Sequence, residues 1–189
     1  PATVDAEQID RIVWNQHHDP FEILGPHLVQ QQDGQTVWAV RAYLPQADKA
    51  WVVLPQEHKE VAMESNHNPH FFECVLEVQD LANYQLKYVS GDHVQVIYDP
   101  YAFKTRTITD FDIHLFSEGN HHRIYEKLGA HFTTIEGIAG VYFAVWAPNA
   151  RNASVLGDFN YWDGRKHQMR RLSNGIWDLF IPGLEVGVH

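Results

Sequence analysis

Two distant stretches of the chain share one pattern, and that duplication limits the possible folds more than any other feature. AVRAYLPQADKAWVVL (residues 39–54) lies over YFAVWAPNARNASVLG (residues 142–157), with Pro45 on Pro148 and Ala47 on Ala150. Each copy reads as strand, proline-containing turn, strand. Period-two alternation places Val40, Ala42 and Leu44, and their counterparts Phe143, Val145 and Ala147, on inner faces. Tyr142 and Trp146 then fall on the outer face. A second pair follows in each copy: FFECVLEV (71–78) lies over IWDLFIPG (176–183). Phe72, Cys74, Leu76 and Val78 are expected inside, and Glu73 and Glu77 mark the wet face. Trp177, Leu179 and Ile181 follow them inside by alignment.

Short alternating strands broken by Pro, Gly, Asn and Asp turns predict an all-β chain of two immunoglobulin-like β-sandwiches in tandem. The first copy continues with YQLKYVSG (84–91) and VQVIYDP (94–100), which read as closing strands. The second has no such partners before His189, so the second sandwich is expected to be incomplete and the chain to be the N-terminal piece of a longer one. Helices are expected at the N-terminus, where Val4, Ile9, Ile12 and Val13 form a stripe and Asp5 is a candidate N-cap, and in a connector. There, residues 109–117 and 118–129 read as two short turns or helices, with Ser117 as a start signal and Gly129 as a stop. The expected boundaries are an N-terminal helix over 1–16, a first sandwich over 17–108, a connector over 109–132 and a second sandwich over 133–189.

The 189 residues carry a formal charge of −10. Such a surface disfavours nucleic acid and anionic membrane but not neutral ligands such as sugars. The single cysteine, Cys74, excludes an internal disulfide framework and fits a reducing, cytoplasmic setting. On an inward strand face it reads as an inert core thiol. Nowhere do 18 apolar residues run together, and the N-terminus lacks the pattern of a signal peptide. The 13 histidines include His17–His18, His67, His70 and His121–His122, but no cysteine-assisted or helical spacing joins them, so no metal site is expected. No phosphate loop or catalytic constellation is present. Asp110, Asp112, Asp158 and Asp163 read as turn and cap carboxylates.

One loop resists a purely structural reading. After Leu156, GDFNYWDG places Phe159, Tyr161 and Trp162 within four residues. Phe159 is expected to tuck under as a plug. Trp162, among Tyr161, Asp163 and Gly164, is a candidate platform for a pyranose ring, whose flat C–H patch stacks on indole while its hydroxyls stay free. Asn160 is a candidate to exchange hydrogen bonds with neighbouring hydroxyls. The alternative is that Trp162 packs on a neighbouring domain. Trp177 is assigned to the core, Trp146 to sheet cover or a domain contact, and Trp14, Trp38 and Trp51 to structure.

These residues resemble a known family. GVYFAVWAPNARNASVLGDFNYWDGRKHQM (140–169) resembles the glycogen-binding-type carbohydrate module that precedes the catalytic barrel of glycogen branching enzymes. DPYAFKTRTITDFDIHLFSEGNHHRIYEKLGAH (99–131) is similar to the family connector, HHDPFEILGPH (17–27) resembles the extra N-terminal sandwich, and GIWDLFIPGLEVG (175–187) fits as well. The resemblance implies a parent transferase that cleaves an α-1,4-glucan and passes the segment to a 6-hydroxyl. The implied nucleophile is an aspartate and the implied acid/base a glutamate, both in a barrel beyond this chain, which itself carries no catalytic residue. It implies no cofactor, an α-1,4-glucan partner (glycogen, amylose or maltooligosaccharide), and contact with the parent's own barrel. It also implies that Trp162 stacks on glucose, with Asn160 a companion. A non-enzymatic glucan-binding protein and a structural spacer are the competing readings.

Overall fold

A computed structural model describes residues 2–189. It divides into two compact units, one of residues up to Trp14 with Phe21–Ala102, the other of Asn15–Pro20 with Phe103–His189. The chain is mostly β, with three antiparallel four-stranded sheets and two α-helices among the described residues.

The first unit holds two of the sheets. One is ordered β1 (Gly25–Gln30), β2 (Thr36–Tyr43), β6 (Asn68–Leu76), β5 (Glu64–Asn66). The other is β4 (Lys59–Ala62), β3 (Lys49–Leu54), β7 (Gln85–Ser90), β8 (His93–Tyr98). Between them lies the core expected from alternation: Val40, Ala42, Phe72, Cys74 and Leu76 meet Ala50, Val52, Leu86 and Tyr88. Apolar burial at roughly 25 cal/mol per Å² is what drives the two sheets together.

The outer face of the first sheet is not wet. Phe71, Arg41 and Glu73 are buried there, against the expectation for Glu73. The physical reason is a covering layer. Helix α1 (Ala6–Val13) packs on β6 and buries Ile9 and Ile12. Arg41 donates to the carbonyls of Thr3 and Ile23, and Glu73 accepts from the Thr3 N–H at 2.9 Å. Asp5 sits at the N-cap of α1 in extended conformation but its side chain makes no capping bond.

The second unit holds one sheet, ordered β11 (Arg170–Arg171), β12 (Ile176–Pro182), β10 (Ile138–Trp146), β9 (Gly129–Ile135). Its register repeats that of the first unit. Val40 pairs with Cys74 and Ala42 with Phe72, while Phe143 pairs with Leu179 and Val145 with Trp177. The duplication therefore extends to individual strand pairs. Burial does not follow it. Trp177, Leu179 and Ile181 are buried as expected, but Phe143 is half-buried and Val145 is 42% exposed. Among the described residues no second four-stranded sheet faces this one. The stretch ASVLG forms only a single bridge, Ser154 to Gln168, rather than a strand.

The opposite face corrects a second expectation. Tyr142 is buried, not outward. Its hydroxyl donates to Asp178, which also holds Arg170 at 2.7 Å, and the Arg170 guanidinium reaches the carbonyl of Lys104. Phe103 meets Phe180 edge-on. Residues 103–108 therefore fold with the second unit rather than the first. Trp146 stays half-exposed, with its indole N–H on the Asn174 carbonyl and its ring against Phe116.

Of the two connector segments read as turns or helices, the first forms an α-helix and the second only a turn. Helix α2 (Asp110–Ser117) starts at Thr109 through a reciprocal capping box with Asp112. Ser117 ends this helix and starts no other; its hydroxyl donates back to the Ile113 carbonyl. A single 3-10 turn, Ile124–Glu126, follows, and Gly129 already opens β9. The run NHHRI lacks the apolar spacing that a second helix needs. Asp112 gathers the segment, accepting from His121 and Lys127 at 2.8 and 2.7 Å. Burial alone pushes its carboxyl up, but those bonds and the Thr109 cap outweigh it and hold the carboxyl well below its usual range.

Candidate functional site: an indole-presenting loop

The loop is closed at its base by backbone pairing. The Val155 N–H donates to the His167 carbonyl and the Met169 N–H to the Ala153 carbonyl, each at 2.9 Å. Within this closure, a 3-10 turn at Asp158–Asn160 reverses the chain. Gly157 permits it sterically, because a Cβ there would lie 2.3 Å from Cε1 of Phe159. Phe159 is half-buried against the His167 ring, close to its expected role as a plug.

Trp162 is where the expectation put an exposed platform. It is 62% exposed, and its neighbour Tyr161 is 63% exposed. Both have positive φ, at 53° for Tyr161 and 58° for Trp162. Two consecutive aromatics in the left-handed region are uncommon, since a bulky Cβ there costs about 1–2 kcal/mol per residue. The loop holds them by other bonds: the Trp162 N–H donates to the Gly157 carbonyl at 3.0 Å. The indole N–H donates to Oδ1 of Asp158 at 2.9 Å, which steadies the ring plane. Lys166 stands 5.0 Å from the Tyr161 ring centroid. Asp163 accepts both arms of Arg165, and that pairing holds its carboxyl below the ordinary value.

Asn160 lies elsewhere than the sequence suggested. It is fully buried. Its Oδ1 accepts from the Gly157 N–H at 3.0 Å; its Nδ2 donates to the Val155 carbonyl at 2.8 Å and to Nδ1 of His167 at 2.9 Å. Both amide protons are spent, so the side chain cannot reach a ligand hydroxyl in this conformation. It is bound to the loop that presents Trp162. Because the amide can only donate to Nδ1, the His167 ring carries its proton on Nε2. Burial, with the Lys166 charge adding to it, pushes His167 down to about 3 and keeps it neutral. The sequence marks Asp158 only as a turn residue and does not single out His167 at all. No spacing rule tells such residues from anchors, because the anchoring runs through backbone turns.

Residues 5–101 and 127–188 match different family models. Residues 5–101 match the family model of the alpha-1,4-glucan branching enzyme GlgB, N-terminal domain. The chain belongs to this family. Residues 127–188 match the family model of carbohydrate-binding module 48, the isoamylase N-terminal domain, and Trp162 and its loop lie inside the matched region. Among relatives named 1,4-alpha-glucan branching enzyme GlgB, that of Trichormus variabilis is 66% identical over 188 residues, covering 100% of this chain and 24% of the relative. That of Thermosynechococcus vestitus is 68% identical over 185 residues, covering 98% and 24%. That of Synechococcus elongatus is 58% identical over 186 residues, with the same coverage. The chain thus spans about a quarter of the length of these relatives. No helix of the described residues is long and apolar enough to cross a membrane.

Proposed function

We propose that this chain is the glucan-holding N-terminal part of a cytoplasmic 1,4-alpha-glucan branching enzyme. In the parent protein a catalytic barrel cleaves an α-1,4-glucan and transfers the freed segment to a 6-hydroxyl, and the second unit holds or orients the polymer through Trp162. The observation that carries this reading is an exposed indole, fixed by Asp158 on a strained loop, inside a region that matches a carbohydrate-binding module.

The magnitude suits a polymer. One stacked ring contributes about 2 kcal/mol, by analogy with side-chain burial. Millimolar affinity needs about 4 kcal/mol. A single platform is therefore weak for a lone sugar and effective where glycogen or amylose offers many equivalent sites. Asn160, expected as a ligand contact, supports the reading instead as an internal brace.

The test is affinity electrophoresis in glycogen-containing gels, with maltoheptaose titration as a second readout. Trp162→Ala should weaken binding by about 30-fold, the equivalent of about 2 kcal/mol. Unchanged retardation would favour the second reading, a bracing role against the rest of the parent chain. The exposed apolar side chains Phe132, Val145 and Val186 speak for that reading.

A further inference from the structure

We infer that Asn160 and His167 are positioning residues for glucan binding: together they hold the loop in the strained conformation that presents Trp162, without touching the sugar. The inference rests on the proposed role of Trp162 and deepens it.

Tyr161 and Trp162 would each relax from positive φ if the loop were free. Three bonds from one buried amide prevent it. Two of them, to Gly157 and Val155, fix the point where the turn begins. The third crosses to His167, on the returning limb, whose carbonyl also pairs with Val155. Asn160 thus ties the start of the loop to its end. The same Gly157 whose N–H it binds supplies the carbonyl that receives the Trp162 N–H. Loosening the amide therefore releases the turn on which the indole stands. A solvent-facing asparagine would act by contact; this one has no polar hydrogen left to offer.

The experiment uses the intact chain labelled with 5-fluorotryptophan, with the Trp162 fluorine line assigned through Trp162→Phe. Glycogen affinity is measured alongside. In the wild type, one sharp Trp162 line and pH-independent binding between pH 5.5 and 8 are expected. Asn160→Ala should split or broaden that line and weaken binding by about 3- to 10-fold, the range for one or two lost hydrogen bonds. Asn160→Asp keeps the acceptor for Gly157 but sets a carboxylate against Nδ1 of His167. The neutral ring can then carry its proton on Nδ1 and donate to that carboxylate, which keeps the tie to the returning limb and loses only the bond to the Val155 carbonyl. Asn160→Asp should therefore bind more tightly than Asn160→Ala and less tightly than wild type, with a sharper Trp162 line than Asn160→Ala. A structural amide with no part in presentation would not rank the variants in this order.

A Trp162 line and affinity unchanged in Asn160→Ala would overturn the inference, as would an Asn160→Asp variant that binds no more tightly than Asn160→Ala. Should Trp162→Ala bind glycogen normally, the functional reading fails. The fluorine line of Asn160→Ala then decides the positioning role by itself: disorder upholds the brace and an unchanged line refutes it.

Discussion

Asp99 offers a prediction whose sign depends on which of two forces is larger. It follows β8 and is buried in the first unit. Burial pushes its carboxyl up, while hydrogen bonds from the Tyr84 hydroxyl and the Tyr101 N–H pull it down. Burial wins, and the value rises from 3.8 to about 6. The folded chain then holds this proton more tightly than the unfolded chain. Stability is therefore greatest at low pH and falls as pH rises through the interval between the two values. At roughly 1.4 kcal/mol per pH unit the full effect is about 3 kcal/mol. The perturbation is Asp99→Asn, which removes the titrating proton and keeps both partners within reach, since the Tyr84 hydroxyl can accept as well as donate. The assay is urea unfolding between pH 4.5 and 7.5, read on methyl resonances of Leu86 in the same core. Wild type should lose about 2 kcal/mol relative to the variant across that range, most of the ~3 kcal/mol total. A flat difference would show that the two donors cancel burial, and one that grows in favour of wild type as pH rises would show that they outweigh it; either refutes the reasoning.

Asp112 has the opposite sign. Its depressed carboxyl contributes stability that is present above the ordinary carboxylate value and is lost as pH falls below about 4. Asp112→Asn should destabilise the second unit by about 1.5–3 kcal/mol at pH 7, with little difference from wild type near pH 2, by thermal unfolding. Gly175 has φ 73°, and a Cβ there would sit 2.4 Å from Cα of Pro148. Gly175→Ala should therefore cost about 1–3 kcal/mol by the same assay, from overpacking against backbone. Cys74 is pushed up to about 12, by burial first and the Glu73 charge second. It should resist disulfide-exchange reagents at pH 8 in the folded chain and react promptly in denaturant; rapid native labelling would contradict its core placement.

How far the sequence can be read depends on what each signal reports. Period-two alternation reports the pleat, and the strand pairs Val40–Cys74 and Phe143–Leu179 follow the duplicated pattern residue for residue. Alternation does not report what lies over a face. Glutamate is seldom buried unpaired, which points Glu73 to water, yet Arg41 and the N-terminal segment close over it. Parity alone points Tyr142 outward, while its partner Asp178 lies 36 residues away in sequence and Arg170 a further 8 back from Asp178. Such polar knots are built from contacts with no local period, so only coordinates disclose them. The loop divides along the same line. That an aromatic stands out among turn residues is legible, because burying Trp162 would drag Asp163 and Gly164 with it. Whether Asn160 faces outward is not, because asparagine serves turns and ligands with the same amide. The decisive fact is the count of its bonds: one acceptor and two donors, all satisfied inside the loop. A side chain so fully engaged contributes to recognition only through the geometry it imposes on Trp162.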